Sequence, residues 1–220
     1  MWKVIAIDGP SASGKSTLAR NLAARFQIPY INTGSMFRAV ALAAQRRGID
    51  RQDAAGLEAM LKELDIDYRR NAAGDWELAL DGEFPGEALR TADIAAGASL
   101  VATVPAVREA LKAMQRKMAG SQWLVMEGRD IGSVIFPDAA FKFFITASPL
   151  ERARRRLAQE GERAGHSLEE VAAAIAQRDA TDRSRTVAPL RAAPDAETVD
   201  NSDLSAEELF NHIYRKVKHA

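Results

Sequence analysis

The run Gly9-Pro10-Ser11-Ala12-Ser13-Gly14-Lys15-Ser16-Thr17 limits the folds open to this chain more than any other stretch. Its first eight residues obey G-x-x-x-x-G-K-[ST] without exception. Directly before it, Val4–Ile7 is a continuous, partly β-branched apolar run closed by Asp8, the pattern of a strand buried on both faces. Directly after it, Leu18, Leu22 and Phe26 recur at helical spacing. Glycines let the backbone N–H groups of such a turn face inward around an anion, and the helix N-terminus adds its dipole at the same point. A strand joined to a helix in this way belongs to a parallel sheet with helical crossovers.

The remaining pattern agrees. Ile28–Ile31 reads as a second strand. Asn32-Thr33-Gly34-Ser35 breaks it, and Met36, Val40 and Ala43 then share a helix face that ends at Gly48. Between about 63 and 90 the period changes to two: Ile66 and Tyr68 flank Asp67, and Trp76, Leu78 and Leu80 alternate with Glu77 and Ala79. Turn residues lie at Asn71–Asp75 and Asp81-Gly82, so a small antiparallel meander is expected here. The α/β rhythm resumes with a helical stripe at Val107, Leu111, Met114 and Met118, strands at Trp123–Met126 and Phe141–Ile145, helices at Leu150–Glu160 and Leu168–Asp182, a short strand at Thr198-Val199, and a last helix from Ser205. Ser205 with Glu208 forms a capping-box pattern. The expected architecture is α/β: three layers, α/β/α, around a central parallel sheet in one domain spanning 1–220. Its core is 1–62, 91–150 and 186–220, with an insertion at about 63–90, a lid at about 151–167 and a following helix at 168–185.

Composition narrows the partners. Thirty basic residues balance thirty acidic ones, which gives no support for a broad nucleic-acid or membrane surface. Cysteine is absent, so disulfides, thiolate catalysis and cysteine-ligated zinc are excluded, and three scattered histidines make no metal cluster. No stretch approaches the roughly 20 apolar residues of a membrane-spanning helix, and the N-terminal apolar run is too short for a signal peptide, so a cytoplasmic protein is expected.

In a loop of this type Lys15 reaches the β- and γ-phosphates of a bound nucleotide and the Ser16 hydroxyl ligates Mg²⁺. The motif alone serves kinases, GTPases and motors. No Asn-Lys-x-Asp base-recognition motif and no D-x-x-G switch after a strand is present, which favours a kinase. A kinase needs a second anionic pocket, for which arginine's planar fork is suited; the candidates are Arg38, Arg108, Arg129, Arg178 and Arg185. Arg129 and Asp130 follow a buried-looking strand, where ligands of open α/β sheets bind, and Glu127 is placed to stand near Mg²⁺ directly or through water. In the 168–185 segment the core stripe Leu168, Val171, Ile175 continues at the same spacing into Arg178, Asp182 and Arg185. Those charges either line a ligand cleft or mark where the helix leaves the core. Arg152, Arg154, Arg155 and Arg156, followed by Gly161 and Gly165, fit either a mobile lid or a solvated helix face.

Several stretches in order along almost the whole chain resemble the bacterial cytidylate kinases, members of the nucleoside monophosphate kinases: Ile7-Asp8-Gly9-Pro10-Ser11, Asn32-Thr33-Gly34-Ser35-Met36-Phe37-Arg38, Gly86 with Arg90-Thr91, Val107-Arg108-Glu109-Ala110-Leu111, Gly128-Arg129-Asp130-Ile131-Gly132, Val134-Ile135-Phe136-Pro137-Asp138-Ala139, and Arg178-Asp179 through Arg185-Thr186-Val187-Ala188-Pro189-Leu190. The resemblance implies a P-loop kinase fold, in which 63–90 enlarges the monophosphate-binding region. It further implies ATP-dependent phosphorylation of CMP and dCMP with Mg²⁺, by a monomer with no nucleic-acid or membrane partner. By resemblance Thr33, Arg178 and Asp182 read the cytosine; Arg38, Arg129 and Arg108 hold the CMP phosphate; Asp130 and Asp182 orient the nucleotide; Arg185 faces sugar or phosphate; and Arg152, Arg155 and Arg156 come from the lid. The chain departs from the family's pattern at Thr33, which keeps a hydroxyl, and at Glu127, where Asp is usual. Two rivals stay open at this level: a P-loop kinase for another small acceptor, and a nucleotide-dependent switch that hydrolyses its ligand slowly.

Overall fold

The computed structural model describes residues 1–160 and 167–218. Five strands, β1 (Trp2–Asp8), β2 (Tyr30–Asn32), β5 (Leu124–Gly128), β6 (Ala139–Thr146) and β7 (Glu197–Asp200), form one parallel sheet in the order β2-β5-β1-β6-β7. Between β2 and β5 the chain forms a hairpin from β3 (Ile66–Arg70) and β4 (Trp76–Leu80). β1 is the middle strand: Ile5 registers with Val125 on one side and Phe141 on the other. Its Val4–Ile7 run is buried throughout, as expected for a strand covered on both faces. The fold is that of a P-loop kinase, with helices flanking the sheet.

The chain divides into two compact units, Met1–Tyr30 with Trp123–Ala220, and Ile31–Gln122. Among the described residues the first contains β1, β5, β6 and β7, with the first residue of β2, and the helices α1 (Lys15–Phe26), α6 (Pro149–Glu160), α7 (Leu168–Ser184) and α8 (Ala206–Lys218). α1 packs on β5 and α8. α6 and α7 join through Ala153, Val171 and Ile175, with Leu157, Leu168, Ala172 and the loop residue Ala12 against them. Ser167 and Glu170 cap α7 reciprocally, and Ser205 with Glu208 does the same for α8.

The second unit contains α2 (Thr33–Arg46), α3 (Ala54–Leu61), the β3–β4 hairpin, α4 (Ala92–Val101) and α5 (Pro105–Ala119). Its core is built from Met36, Val40, Leu57, Leu80, Ile94, Val101, Val107 and Leu111. The expected meander is a single hairpin, since after Leu80 the chain makes only an isolated bridge to Glu83. Thr33-Gly34-Ser35, read as a break, is already helix: the Asn32 carboxamide accepts from Ser35 N at 3.1 Å and starts α2 three residues early. Tyr68 on β3 ties down the same turn, donating its hydroxyl to Asn32 O at 2.6 Å. α3 and α4 had no counterpart in the expected elements. Both are short, and their apolar residues do not form one narrow stripe.

The lid expected over 151–167 falls in part outside the described residues, which end at 160 and resume at 167. Gly161, Gly165, His166 and His219 lie outside them. Among the described residues no single helix is long and apolar enough to cross a membrane.

Candidate active site

The Gly9–Thr17 run follows β1 directly. Gly9 has φ +151°, and a Cβ there would lie 2.0 Å from Ile145 O, so only glycine fits. Gly14, φ +86°, is the N-cap of α1. A third left-handed residue, Ala12 at φ 58°, costs on the order of 1 kcal/mol; its methyl packs against the α6–α7 apolar cluster, which offsets part of that cost. Lys15, the first residue of α1, is buried and donates from Nζ to Pro10 O at 3.0 Å. Burial pushes its ammonium down to about 7, with Arg129 and Arg178 pushing the same way and Glu127 and Asp182 opposing them. Those two arginines are therefore close enough to Lys15 to raise the local positive potential. Thr17 is exposed in the first turn of α1.

Ser16 donates its hydroxyl to Glu127 Oε2 at 2.7 Å, and Tyr30 donates to Glu127 Oε1 at 2.5 Å. Glu127 is itself 2% exposed, at the end of β5. A serine hydroxyl beside a fixed carboxylate is a hard-oxygen pair that suits Mg²⁺. Among the described residues no group of three or more His, Cys, Asp or Glu could hold a metal by itself. The pair fits an ion brought in on nucleotide phosphates, as Mg²⁺ commonly is.

Beyond Gly128 the backbone makes one π-helical turn, Ile131–Ile135. Asp8 holds its start: its two carboxylate oxygens accept from Ile131 N and Gly132 N, each at 2.8 Å. Burial nevertheless pushes this carboxyl up to about 7, past the pull of those N–H groups. Asp8→Asn turns a donor toward a donor and should cost about 2 kcal/mol. The native chain binds a proton at Asp8 between the ordinary 3.8 and about 7, where the unfolded chain does not. Parental stability therefore falls as pH rises through that window, and the variant should lack that slope; urea unfolding across the range measures both.

Arg129 and Asp130 lead out of β5. Arg129 Nε donates to Asp182 Oδ2 at 2.9 Å, and Arg185, the C-cap of α7, donates to Asp182 Oδ1. Asp130 and Asp182 are buried. The stripe of α7 thus does not leave the core: Val171 and Ile175 are followed by half-buried Arg178, buried Asp182 and half-buried Arg185. A cavity of about 390 Å³ is lined by Ser11, Arg156, Glu170, Val171, Ala174, Ile175 and Arg178. The first unit therefore brings together Lys15, Ser16, Glu127, Arg129, Arg178 and Asp182, with Arg185 on Asp182, while Arg156 and Arg178 share the cavity with Ser11.

The other α6 arginines differ from one another. Arg154 is exposed. Arg152 is 4% exposed and ion-paired with Asp179 at 2.7 Å. Arg155 is bound to Glu151 and Asn201. In the second unit, Thr33 is buried at the start of α2 and Arg38 is half-buried on the same helix. Arg108 on α5 is buried, donates to Ala102 O at 3.3 Å and lies 5.6 Å above the Phe37 ring.

Four residues of the site were missed: Asp8 as a backbone anchor, Tyr30, Asp179 and Asn201. Asn201 lies just beyond the carboxyl end of β7, where ligand sites of parallel sheets cluster, and that rule would have found it; Tyr30 is the first residue of β2, at the opposite end of its strand, and the rule does not reach it. Asp179 sits one residue off the stripe, and its partner Arg152 is 27 positions away in sequence, so spacing gave no cue.

A solved structure of an uncharacterized protein from Eubacterium ventriosum aligns over 99% of both chains with a TM-score of 0.55 at 12% identity, a likeness of fold alone. Relatives at much higher identity bear the name cytidylate kinase. The one from Geobacter sp. (strain M21) is 47% identical over 98% of this chain and 92% of its own. The one from Pelotomaculum thermopropionicum is 44% identical over 97% and 95%, and that from Neisseria gonorrhoeae 43% over 98% of each. The cytidylate kinase family model matches residues 5–219. With agreement running from the first strand to the last helix, this chain belongs to the cytidylate kinase family.

Proposed function

We propose that the chain transfers the γ-phosphoryl group of ATP, bound with Mg²⁺, to CMP and dCMP by direct in-line displacement. An anionic phosphate oxygen of the acceptor forms the new P–O bond. The bond from the γ-phosphorus to the β,γ-bridging oxygen breaks, and ADP leaves with that electron pair. The convergence of Lys15, Arg129 and Arg178 beside a strand-end phosphate cradle carries this reading.

The backbone N–H groups of Gly9–Thr17, Pro10 excepted, hold the donor phosphates and the helix dipole of α1 favours their charge. Lys15 leaves Pro10 O for phosphate oxygen, exchanging a neutral acceptor for an anionic one. Ser16 and Glu127 would hold Mg²⁺, which supplies charge neutralisation at the phosphate oxygens. Arg156 lines the same cavity as Ser11 and, with Arg129, Arg152, Arg155 and Arg185, belongs to the set that offsets the charge of the transferring group. On the acceptor side, Arg38, Arg108, Arg129 and Arg185 bind phosphate and sugar, while Thr33, Asp130, Arg178 and Asp182 orient the nucleotide. A phosphate monoester loses its second proton near pH 6, so its oxygen attacks without a general base.

The test is turnover at fixed ATP·Mg²⁺ with CMP, dCMP, UMP, AMP and shikimate. CMP and dCMP should exceed AMP and shikimate in kcat/KM by at least about 10²-fold, the range one set of base contacts provides. A better alcohol acceptor would assign a different kinase. ATP consumption unaffected by any acceptor would assign a slow hydrolase.

A further inference from the structure

Beyond β7 the chain turns at Asn201, which is 3% exposed and packs against the outer side of the cradle. Its Nδ2 donates to Ser13 O at 2.9 Å. Its Oδ1 accepts from Arg155 NH1 at 2.9 Å, and its backbone carbonyl accepts from Arg155 NH2 at 2.8 Å. Its own N–H donates to Thr146 O at 2.9 Å, which anchors it to the end of β6. A Cβ added to Gly14 would lie 3.2 Å from Asn201 Nδ2 and 3.8 Å from Arg155 NH1, so this pair abuts the loop itself. Both ends of the Asn201 carboxamide thus face a partner, in a place with little water to substitute.

Arg152 makes a parallel contact at the loop's other shoulder. It donates from NH1 to Ser11 O at 3.2 Å and from Nε to Ala147 O at 3.1 Å, and Asp179 neutralises it. In a planar trans peptide the C=O and the following N–H point in opposite directions. Fixing the carbonyl of Ser13 outward therefore fixes the N–H of Gly14 inward, and fixing that of Ser11 does the same for Ala12. Donors held in place before the ligand arrives cost nothing to reorient when it binds.

We propose that Asn201 is a positioning residue for the phosphate donor: it aims the cradle's amides by gripping the Ser13 carbonyl, and it seats Arg155 of α6 beside Gly14. This rests on the reading of Gly9–Thr17 as the ATP site. Only a group with a donor and an acceptor on one plane meets both needs. The substitution Asn201→Asp would keep the contact with Arg155 but set a carboxylate oxygen against Ser13 O.

The experiment compares Asn201→Asp and Asn201→Ala with the parent. Readouts are KM for ATP and for CMP, kcat, calorimetric ATP binding without acceptor, and thermal unfolding. Both variants should raise KM and Kd for ATP by about 10-fold or more while KM for CMP stays within about 2-fold. Asn201→Asp, which keeps volume and the Arg155 contact, should lose as much as Asn201→Ala. Parental ATP affinity in both variants overturns the proposal. So does an equal loss for ATP and CMP, which marks general damage, or full rescue by Asp, which leaves Arg155 as the only function. If Asn201→Ala does not fold, Asn201→Asp decides alone. Failure of the parent itself to bind ATP would instead remove the underlying assignment of the cradle.

Discussion

Lys15→Ala is expected to lower phosphoryl transfer by about 10³-fold while leaving a folded protein that, without nucleotide, is more stable than the parent near neutral pH. The catalytic loss follows from where the charge sits. Nζ is buried and hydrogen-bonded to a neutral carbonyl at 3.0 Å, so it is poised to exchange Pro10 O for phosphate oxygen. The stability gain follows from the same placement. Burial and the fields of Arg129 and Arg178 hold the ammonium down to about 7 from 10.5. Between those values the unfolded chain binds a proton that the folded chain does not, so folding works against this residue at neutral pH and below, and less as pH rises. The variant's advantage in melting temperature should be largest below about pH 7 and shrink toward pH 10. Calorimetry at three pH values with initial-rate kinetics checks both halves. Near-parental turnover in a folded variant would remove Lys15 from the reaction. A variant less stable than the parent at every pH would show that the contact with Pro10 O outweighs the cost of burying the charge.

How far the sequence could be read depended on whether a feature is local. The cradle, the strand before it and the helix after it are set by neighbouring residues, and they stand as expected from Trp2 to Phe26. The continuation of α7's stripe into Arg178, Asp182 and Arg185 was visible as a period, but not its meaning. A period cannot tell a cleft from a helix leaving the core, and the ion pairs of Asp182 with Arg129 and Arg185 settle that it stays inside. The start of α2 was obscured because Asn32-Thr33-Gly34-Ser35 carries both turn and cap chemistry; the side chain of Asn32 decides for a cap. The α6 arginines show the limit most clearly. Four arginines in five residues look alike in sequence, yet Arg154 is exposed, Arg156 lines a cavity, and Arg152 and Arg155 are bound to partners at 179 and 201. Such partners are set by tertiary packing, which spacing does not encode.

Asp182→Ala should combine the largest loss of stability with the most selective loss of acceptor affinity. The carboxylate is 2% exposed and bridges two guanidinium groups: Oδ2 accepts from Arg129 Nε at 2.9 Å and Oδ1 from Arg185. Its backbone carbonyl meanwhile accepts from Leu190 N at 2.8 Å, which ties α7 to the chain beyond it. Removing one member of a buried ionic set leaves the others uncompensated, at a cost of about 3 kcal/mol. Both arginines then lose the anchor that sets their direction, and Arg129 and Arg185 belong to the proposed acceptor side. KM for CMP should rise by about 10²-fold, the scale of a lost charged contact to a ligand. ATP should suffer less, because Asp182 reaches Lys15 only through its field, where it favours the charged ammonium. A change in KM for ATP below about 5-fold is expected on that ground. Asp182→Asn keeps the volume and one acceptor oxygen, so it should recover part of the stability but little of the affinity for CMP. If KM for ATP and CMP instead rise together in both variants, Asp182 serves the site as a whole and has no place on the acceptor side.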